Sequence, residues 1–482
     1  MVRRLLIFGL LIAAHYLAPA QAFDTLFYVS DSTRLFGLEE FYDLIIKNHP
    51  TVKQANLLSE VARQEIRLAR GSFDPKLEAQ FDKKRYNGQQ YYDIFNGALK
   101  FPTFFPVDPS IGIDNNSGKY LNPERYIGAE YNYYQIYAGI SVPLGKGLMT
   151  DERRAALRQA ELFKDIAEAD QVKTINKLLL DAAKIYWDWY YAYYKYRLLN
   201  RTVRIAEEIF ERTKANYTFG EASVVDTVQA RISMQQTTIE QQQASLDFEN
   251  SSLSLSNMLW DSLSNPLNID SRWIPYLMND TWTITPENLK TLADQARLHH
   301  PDLRKIETKV NQLETEKKLA IENLKPQLNV NYYAINQPLT PVGEFSSALD
   351  NNYKFGIDFS FPIFLRKERS KLALTKLKLT NTEWERTLTE RQIINKLAAT
   401  YNQLNYLRTI VAAQAQMVGS YERMLEAELM NLEQGESDLF KINVQLEKLI
   451  EAKSKWIKLL AENEKHKAEL FWAAGTSRLD VN

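Results

Sequence analysis

The polar residues most able to do chemistry are acidic, and they gather at two glycine-centred segments. Glu221 and Asp226 follow Gly220, and the arrangement recurs around Gly435. The acidic residues of the second segment are Glu433, Glu436 and Asp438. A glycine that ends one helix leaves such carboxylates near the N-terminus of the next, where they stabilise the helix dipole. That structural role alone explains Glu221 and Glu436.

The sequence offers no constellation typical of an enzyme. His299 and His300 are adjacent, but neighbouring residues on a helix diverge, and no carboxylate or thiol completes a usual metal-ligand set. No phosphate-binding glycine loop and no Ser-His-Asp order is present. We therefore predict no catalytic, cofactor-binding or metal-binding residues, and we do not expect an enzyme.

Composition points to long elements and few turns. The 482 residues include only 17 Gly and 16 Pro, and no Cys. A chain without cysteine has no disulfide framework and no thiolate metal site. The formal net charge of -1 gives no argument for nucleic-acid binding.

The N-terminus has the features of a secretory signal peptide at residues 1–22. Arg3 and Arg4 precede an apolar run, and Ala20-Gln21-Ala22 is a small-x-small cleavage pattern. The alternative is an N-terminal anchor helix, but the run falls short of the roughly 20 residues that a spanning helix needs. No later stretch is long and apolar enough to span a bilayer as a helix.

The rest of the chain is a duplicated unit. Asn48-His49-Pro50 recurs as His299-His300-Pro301, and Gly220-Glu221 recurs as Gly435-Glu436. Such long-period copies indicate repeated supersecondary units. We place the first repeat at 23–260, a proline-containing linker at 261–287, the second repeat at 288–474 and a C-terminal tail at 475–482.

Four segments alternate between apolar and polar residues, as transmembrane strands do. They lie at about 76–85, 133–143, 327–336 and 353–364. A soluble sheet with one face on a core has the same pattern, but neither repeat offers a compact core for such a sheet. The intervening segments, about 86–132 and 337–352, are predicted to be loops.

Each strand pair is followed by a very long, coiled-coil-like helix. These helices are predicted at about 151–217 and 367–434, each roughly 100 Å long at 1.5 Å per residue. Glycine ends each of them, and a returning helix follows. The aromatic run at 186–194 resembles a ligand-stacking box, but on a helix its side chains point around the whole axis, which favours packing between helices.

Four strands cannot close a barrel, since about eight is the smallest number that fills one. Open strand edges are not tolerated in lipid. The sequence therefore predicts that copies of the chain assemble, each contributing strands.

The residues resemble the TolC-like outer-membrane efflux proteins over about 37–474. The resemblance rests on Asn48-His49-Pro50, on Gly139 to Leu144, and on the segment from Gly220 to Asp226 with its second copy at Gly435 to Leu439. It implies a mixed α and β fold and a homotrimer, with a 12-stranded barrel in the outer membrane of a Gram-negative bacterium and an α-helical barrel in the periplasm. The implied function is a passive channel that exports small toxic molecules, with a periplasmic adaptor and an inner-membrane transporter as partners.

The resemblance also implies roles for the glycine turns. Family members close the tunnel near these turns, so that Glu221, Asp226, Glu433, Glu436 and Asp438 would form carboxylate rings that favour cations. Adaptors approach the same region, for which the candidate contacts are Phe219, Gly220, Ser223, Gly435 and Leu439. This chain departs from the family in having Phe440 and Asn443 where aspartates are common.

Two other functions fit parts of the pattern. The same architecture permits the outer-membrane conduit of a type I protein secretion system. A soluble periplasmic coiled-coil scaffold is the alternative from another class. It would lack paired alternating strands, so the segments at 133–143 and 353–364 discriminate against it.

Overall fold

The computed structural model describes residues 33–270, 272–276, 284–336 and 352–476, apart from the side chains of Tyr131, Glu433 and Leu439. The predicted signal peptide, nearly all of the second loop and most of the tail lie outside this part. Contacts divide the chain into two compact units. The helical unit comprises residues up to 56, 172–300 and from 391 onward, and the sheet unit comprises 57–171 and 301–390.

Helices dominate both units. The described helices are α1 Leu38–Asn48, α2 Pro50–Arg70, α3 Glu152–Thr218, α4 Val224–Ser256, α5 Pro286–His299, α6 Pro301–Glu322, α7 Arg366–Glu433 and α8 Leu439–Ala473. Pro50 and Pro301 each begin a helix, where the missing N–H costs nothing. The preceding His49 and His300 have ψ of 133° and 128°, as proline demands of its neighbour.

A six-stranded antiparallel sheet belongs to the sheet unit. Its strands are β2 Lys76–Tyr86, β3 Gln89–Lys100, β4 Asp108–Ser117, β5 Tyr134–Pro143, β7 Gln327–Asn336 and β8 Tyr353–Ser360, in the order β2-β3-β4-β5-β7-β8. Two short strands of the helical unit, β1 Arg34–Phe36 and β6 Trp273–Pro275, pair in parallel.

The prediction of a single loop over 86–132 was wrong, because this segment contains β3 and β4. Asn87 and Gly88 have φ of 52° and 79°, the two positive values of a type I′ hairpin turn. An Asn-Gly pair after an alternating strand is a strong hairpin signal, and Asn87-Gly88 directly follows β2. The first repeat thus carries four long strands, twice the predicted number.

The core of the helical unit is aromatic. Tyr186, Trp189 and Tyr190 are fully buried, and they pack with Phe36 and Phe41. The Tyr186 hydroxyl donates to the Phe36 carbonyl oxygen at 2.7 Å, so that this helix holds β1. The aromatic run is therefore helix packing, as predicted. The predicted linker at 261–287 contains β6, whose Ile274 is buried in the same core.

No helix in the described part of the chain is long and apolar enough to cross a membrane.

Candidate functional site

The first candidate region is the turn between α3 and α4. The Gly220 N–H donates to the Tyr217 carbonyl oxygen at 3.1 Å, and the Glu221 N–H donates to that of Asn216 at 2.9 Å. This pair of bonds is a Schellman motif, which places one residue in the left-handed region. Gly220 takes that place with φ of +80°, and a Cβ there would meet no neighbour. The glycine is thus required by backbone conformation alone.

The turn between α7 and α8 repeats this geometry. The Gly435 N–H donates to the Leu432 carbonyl oxygen at 3.0 Å, and the Glu436 N–H donates to that of Asn431 at 2.8 Å. Gly435 has φ of +77°. The duplicated Gly-Glu sequence therefore encodes one turn conformation, made twice.

Two of the predicted gate carboxylates cap the returning helices. The Asp226 carboxylate accepts the Ser223 N–H at 2.9 Å, and the Ser223 hydroxyl accepts the Asp226 N–H at 3.1 Å, which is a reciprocal capping box. These bonds from Ser223 lower the pKa of Asp226. Asp438 caps α8 by accepting the Lys441 N–H at 2.9 Å, and its carboxylate lies 3.6 Å from the Lys441 ammonium.

The other predicted residues at the turns are exposed to solvent wherever their side chains are described. Glu221, Glu436 and Ser223 are exposed, and the Phe219 ring is 80% exposed. The side chains of Glu433 and Leu439 lie outside the described residues. An exposed phenylalanine at a turn is more typical of a contact surface than of a core. Glu221 and Glu436 present their carboxylates to solvent.

A groove between α3, α4 and α8 was not anticipated from the sequence. It encloses about 690 Å³ and includes Phe440 in the first turn of α8 and Gln229 in the second turn of α4. Its lining combines apolar side chains with three acidic and three basic side chains. The charged lining residues are Lys195, Glu240, Glu447, Glu451, Lys455 and Lys458. No local sequence period reveals this groove, because its walls come from three distant segments.

The second candidate region is the apolar face of the sheet. Leu77, Leu99 and Ile111 are register partners on β2, β3 and β4, and the row continues through Ala138, Ala334 and Tyr353. Leu77 is 81% exposed, and Phe359 of β8 is 68% exposed. A sheet in water normally buries such a face.

The opposite face of the sheet is polar and cross-linked by hydrogen bonds. Lys100 donates to Glu78 at 2.7 Å, and Asn331 donates to Asp358 at 2.7 Å. Asn96 bonds Asp114 across β3 and β4. Apolar residues on one face and polar residues on the other is the arrangement of transmembrane barrel strands.

Comparison with protein families decides the identity. The family model for outer membrane efflux proteins matches residues 41–259 and 292–475, which is most of the chain. The chain belongs to the outer membrane efflux protein family. A search of curated proteins gave no match.

Solved channel structures share the fold of this family member. The CmeC outer membrane channel of Campylobacter jejuni is 15% identical, with a TM-score of 0.63 over 92% of this chain and 87% of that chain. The MtrE outer membrane channel of Neisseria gonorrhoeae, in its open state, is 13% identical, with a TM-score of 0.64 over 91% and 89%. The VceC outer membrane protein of Vibrio cholerae is 13% identical, with a TM-score of 0.62 over 91% and 96%.

In this family member, polar contacts tie the strand ends to the helices of the sheet unit. The buried Glu322 carboxylate, at the end of α6, accepts the Met149 N–H at 3.0 Å and pairs with the Lys325 ammonium at 2.7 Å. Burial acts to raise the pKa of Glu322, but the bonds from Lys325 and Met149 outweigh it and hold that pKa below its usual range. Sequence reasoning missed this residue, since a glutamate near a helix end is ordinary.

Proposed function

We propose that this protein is a passive outer-membrane channel that exports small toxic molecules in a tripartite system. An inner-membrane transporter would supply the energy, and a periplasmic adaptor would join it to the channel. The observation that carries the proposal is the sheet with one exposed apolar face and one polar face, in a member of the outer membrane efflux protein family.

The apolar face has the size that a membrane requires. Most strands of the sheet have 10 to 12 residues. At about 3.3 Å per residue and a tilt near 40°, such strands cover roughly 25 Å, the height of the apolar band in outer-membrane barrels. Lipid contact would remove the apolar side chains from water, whereas the polar face would line an aqueous pore.

A single sheet with open edges is not stable in lipid, so copies of the chain must close it. The homotrimer comes from the family resemblance. The family's twelve strands would leave two of the six strands of each copy outside the barrel wall.

The helix turns are proposed as the periplasmic end of the channel. The exposed Phe219 ring and the groove between α3, α4 and α8 offer apolar contacts for an adaptor. Glu221 and Glu436 carry exposed charge, and in a trimer they would form the carboxylate rings of a cation-favouring constriction. Because Asp226 and Asp438 cap helices, their contribution to such rings is secondary.

The test is reconstitution of the full chain in planar lipid bilayers after fractionation of the host membranes. A detergent-requiring oligomer in the outer membrane, with single-channel conductance and weak cation preference, would support the channel. Recovery in the soluble periplasmic fraction would favour the scaffold alternative. Export of a co-expressed protein substrate without any change in drug susceptibility would favour the secretion conduit.

A further inference from the structure

The sheet contains two strands, β3 and β4, beyond the two predicted per repeat. We propose that all six strands of every copy lie in the barrel wall, and that β2 of one copy pairs with β8 of the next. The strand number is then a multiple of six, which gives eighteen in a trimer. This inference rests on the proposed membrane channel and adds the size of its barrel.

The two faces of the sheet continue through β3 and β4 in the rows nearest the helices. On the apolar face, Leu99 and Ile111 continue the row from Leu77 to Ala138. On the polar face, Asn96 of β3 contacts both Asp114 of β4 and the Tyr137 hydroxyl of β5, the latter at 3.4 Å. If the hairpin folded away from the wall, its apolar and polar residues would not need to align with those of β2 and β5.

Close packing joins β4 to β5. Gly112 lies opposite Tyr137, and a Cβ at Gly112 would come within 2.3 Å of the Tyr137 ring. The ring of Tyr137 therefore covers the backbone of β4. Tyr137 also contacts Tyr333 of β7 in an edge-to-face pair with ring centroids 5.6 Å apart, which continues the contact across the next strand.

The turn between β3 and β4 is anchored to the helices. Phe104 in this turn stacks on Phe73 with ring centroids 4.3 Å apart. Asp108, the first residue of β4, pairs with Arg153 near the start of α3 at 3.0 Å. The Arg153 guanidinium also lies 5.6 Å from the centre of the Phe73 ring. These contacts fix the extra hairpin at both its turn and its strand.

The two edge strands, β2 and β8, have the directions needed to pair between copies. Every neighbouring pair in the sheet is antiparallel, and six is an even number. β2 and β8 therefore run in opposite directions, and β8 of one copy meets β2 of the next in the same antiparallel sense. The alternation then continues around the ring and leaves no open edge, which lipid requires.

The register already has the stagger of a barrel. A row of paired residues leads from Lys76, the first residue of β2, through each strand to Lys354 of β8. Ser360, the helix-side end of β8, lies six residues beyond Lys354. Six residues at about 3.3 Å against five strand spacings of about 4.8 Å give a tilt of about 40°, within the range that barrels adopt.

The layer of helices in the sheet unit is about as wide as a sheet of six strands. Hydrogen bonds and ion pairs place them in the order α2, α3, α6, α7. Four helices at 8–10 Å spacing span about 32–40 Å, and six tilted strands span about 38 Å. Four strands would span only about 25 Å by the same estimate. Six strands per copy therefore continue the helical layer without a step in width.

The decisive experiment places single cysteines on this cysteine-free chain and reconstitutes each variant in liposomes. Ile111→Cys on β4 and Ile357→Cys on β8 lie on the apolar face, and Asp114→Cys and Lys354→Cys are their polar-face controls. We expect a fluorophore at both apolar positions to be quenched several-fold by nitroxide-labelled lipid. Both polar positions should instead react with a water-soluble maleimide and resist lipid quenching.

The outcomes separate this inference from the proposed function. If Ile357→Cys is quenched but Ile111→Cys behaves like the polar controls, the extra hairpin lies outside the wall and the inference is overturned. If neither is quenched, the membrane channel itself is wrong. Electron cryomicroscopy of the unmodified protein in lipid nanodiscs gives an independent count, since twelve strands in the wall contradict the inference and eighteen support it.

Discussion

The carboxylates at the helix turns fall into two groups, distinguished by their hydrogen bonds rather than by their positions in the sequence. Asp226 and Asp438 bond backbone N–H groups, whereas Glu221 and Glu436 are exposed. The sequence predicted all of them as possible gate residues. It could not assign the capping role, because the choice between solvent and an N–H group depends on side-chain conformation.

The capping box at α4 predicts a local loss of stability. Ser223→Ala removes the acceptor for the Asp226 N–H, and such a change costs about 1 kcal/mol. We therefore expect about fivefold faster hydrogen exchange at the first amides of α4. Peptide-resolved exchange mass spectrometry measures this, with Ser233→Ala in the third turn of α4 as the control. Equal exchange in both variants would contradict the capping role.

Asp226→Asn distinguishes the helix-capping role of Asp226 from a role in ion preference. An asparagine keeps an oxygen acceptor for the Ser223 N–H but removes the charge. If the turn carboxylates set ion preference mainly through Glu221 and Glu436, Asp226→Asn should leave the reversal potential nearly unchanged, whereas Glu436→Gln should shift it toward anions. The measurement is the bilayer reversal potential under a salt gradient. A larger shift for Asp226→Asn would reverse the assignment.

Glu322 predicts a pH-dependent contribution to stability. Its folded pKa is depressed, so the ionised form stabilises the protein above the unfolded pKa, and this contribution is lost as pH falls through the folded pKa. Glu322→Gln should lower stability at neutral pH by about 1–3 kcal/mol, the value of a buried charged hydrogen bond. The difference from the wild type should shrink as pH falls below the unfolded pKa of about 4.3 and vanish once pH is below the depressed folded pKa.

Thermal melts of both proteins across pH 3 to 7 test this, with Glu314→Gln as the control. Glu314 forms a more exposed pair with Lys317 on the same helix. Exposed pairs contribute little, so this variant should melt like the wild type at every pH. A pH-independent deficit in Glu322→Gln would show that packing rather than charge matters there.

At the level of elements, the sequence predicted what its periodicity determines. Helices begin at Pro50 and Pro301, and helices end just before Gly220 and Gly435, as the sequence predicted. β3 and β4 were missed because their local residues oppose a strand prediction. Gly112 and the following Asp114, Asn115 and Asn116 are typical of turns. Their strand conformation depends on pairing with β3 and β5, which no short window contains.

Gly112 gives the test of that pairing. Gly112→Val adds a side chain that clashes with the Tyr137 ring, although valine favours strands intrinsically. We expect the sheet to lose about 1–3 kcal/mol, the usual cost of overpacking, and to expose β4 to exchange. Gly356→Val on β8 is the matched control, because a Cβ there meets no neighbour. Heat-resistance of the oligomer on semi-native gels compares the two.

At the level of the whole molecule, apolar residues mark both ends of the helical layer of the sheet unit. Leu57, Val61 and Leu68 lie on one stripe of α2, and Leu68 is 74% exposed. On α7, Leu374, Leu377 and Trp384 lie on another stripe, and Trp384 is 70% exposed. α2 leads into β2, and β8 leads into α7, so each stripe accompanies one edge of the sheet. Two different surfaces that meet form a heterologous interface, which closes into a ring when the rotation permits.

This arrangement predicts different outcomes for single and mixed variants. Leu68→Glu or Trp384→Glu should each cost about 2 kcal/mol or more per interface and leave monomers, because each variant lacks one of the two surfaces. The exposed Lys376→Glu on α7 is the charge-reversing control and should assemble normally. Light scattering coupled to size exclusion in detergent measures the mass of each.

Mixing the two defective variants gives the sharper result. A Leu68→Glu copy keeps an intact α7 surface, and a Trp384→Glu copy keeps an intact α2 surface. One pair of these surfaces can therefore join, but the remaining two are both damaged. The mixture should stop at a dimer, since a ring needs every interface. Isologous contacts would instead pair like surfaces, so each variant alone would still dimerise through its intact stripe, and that result would refute the head-to-tail ring.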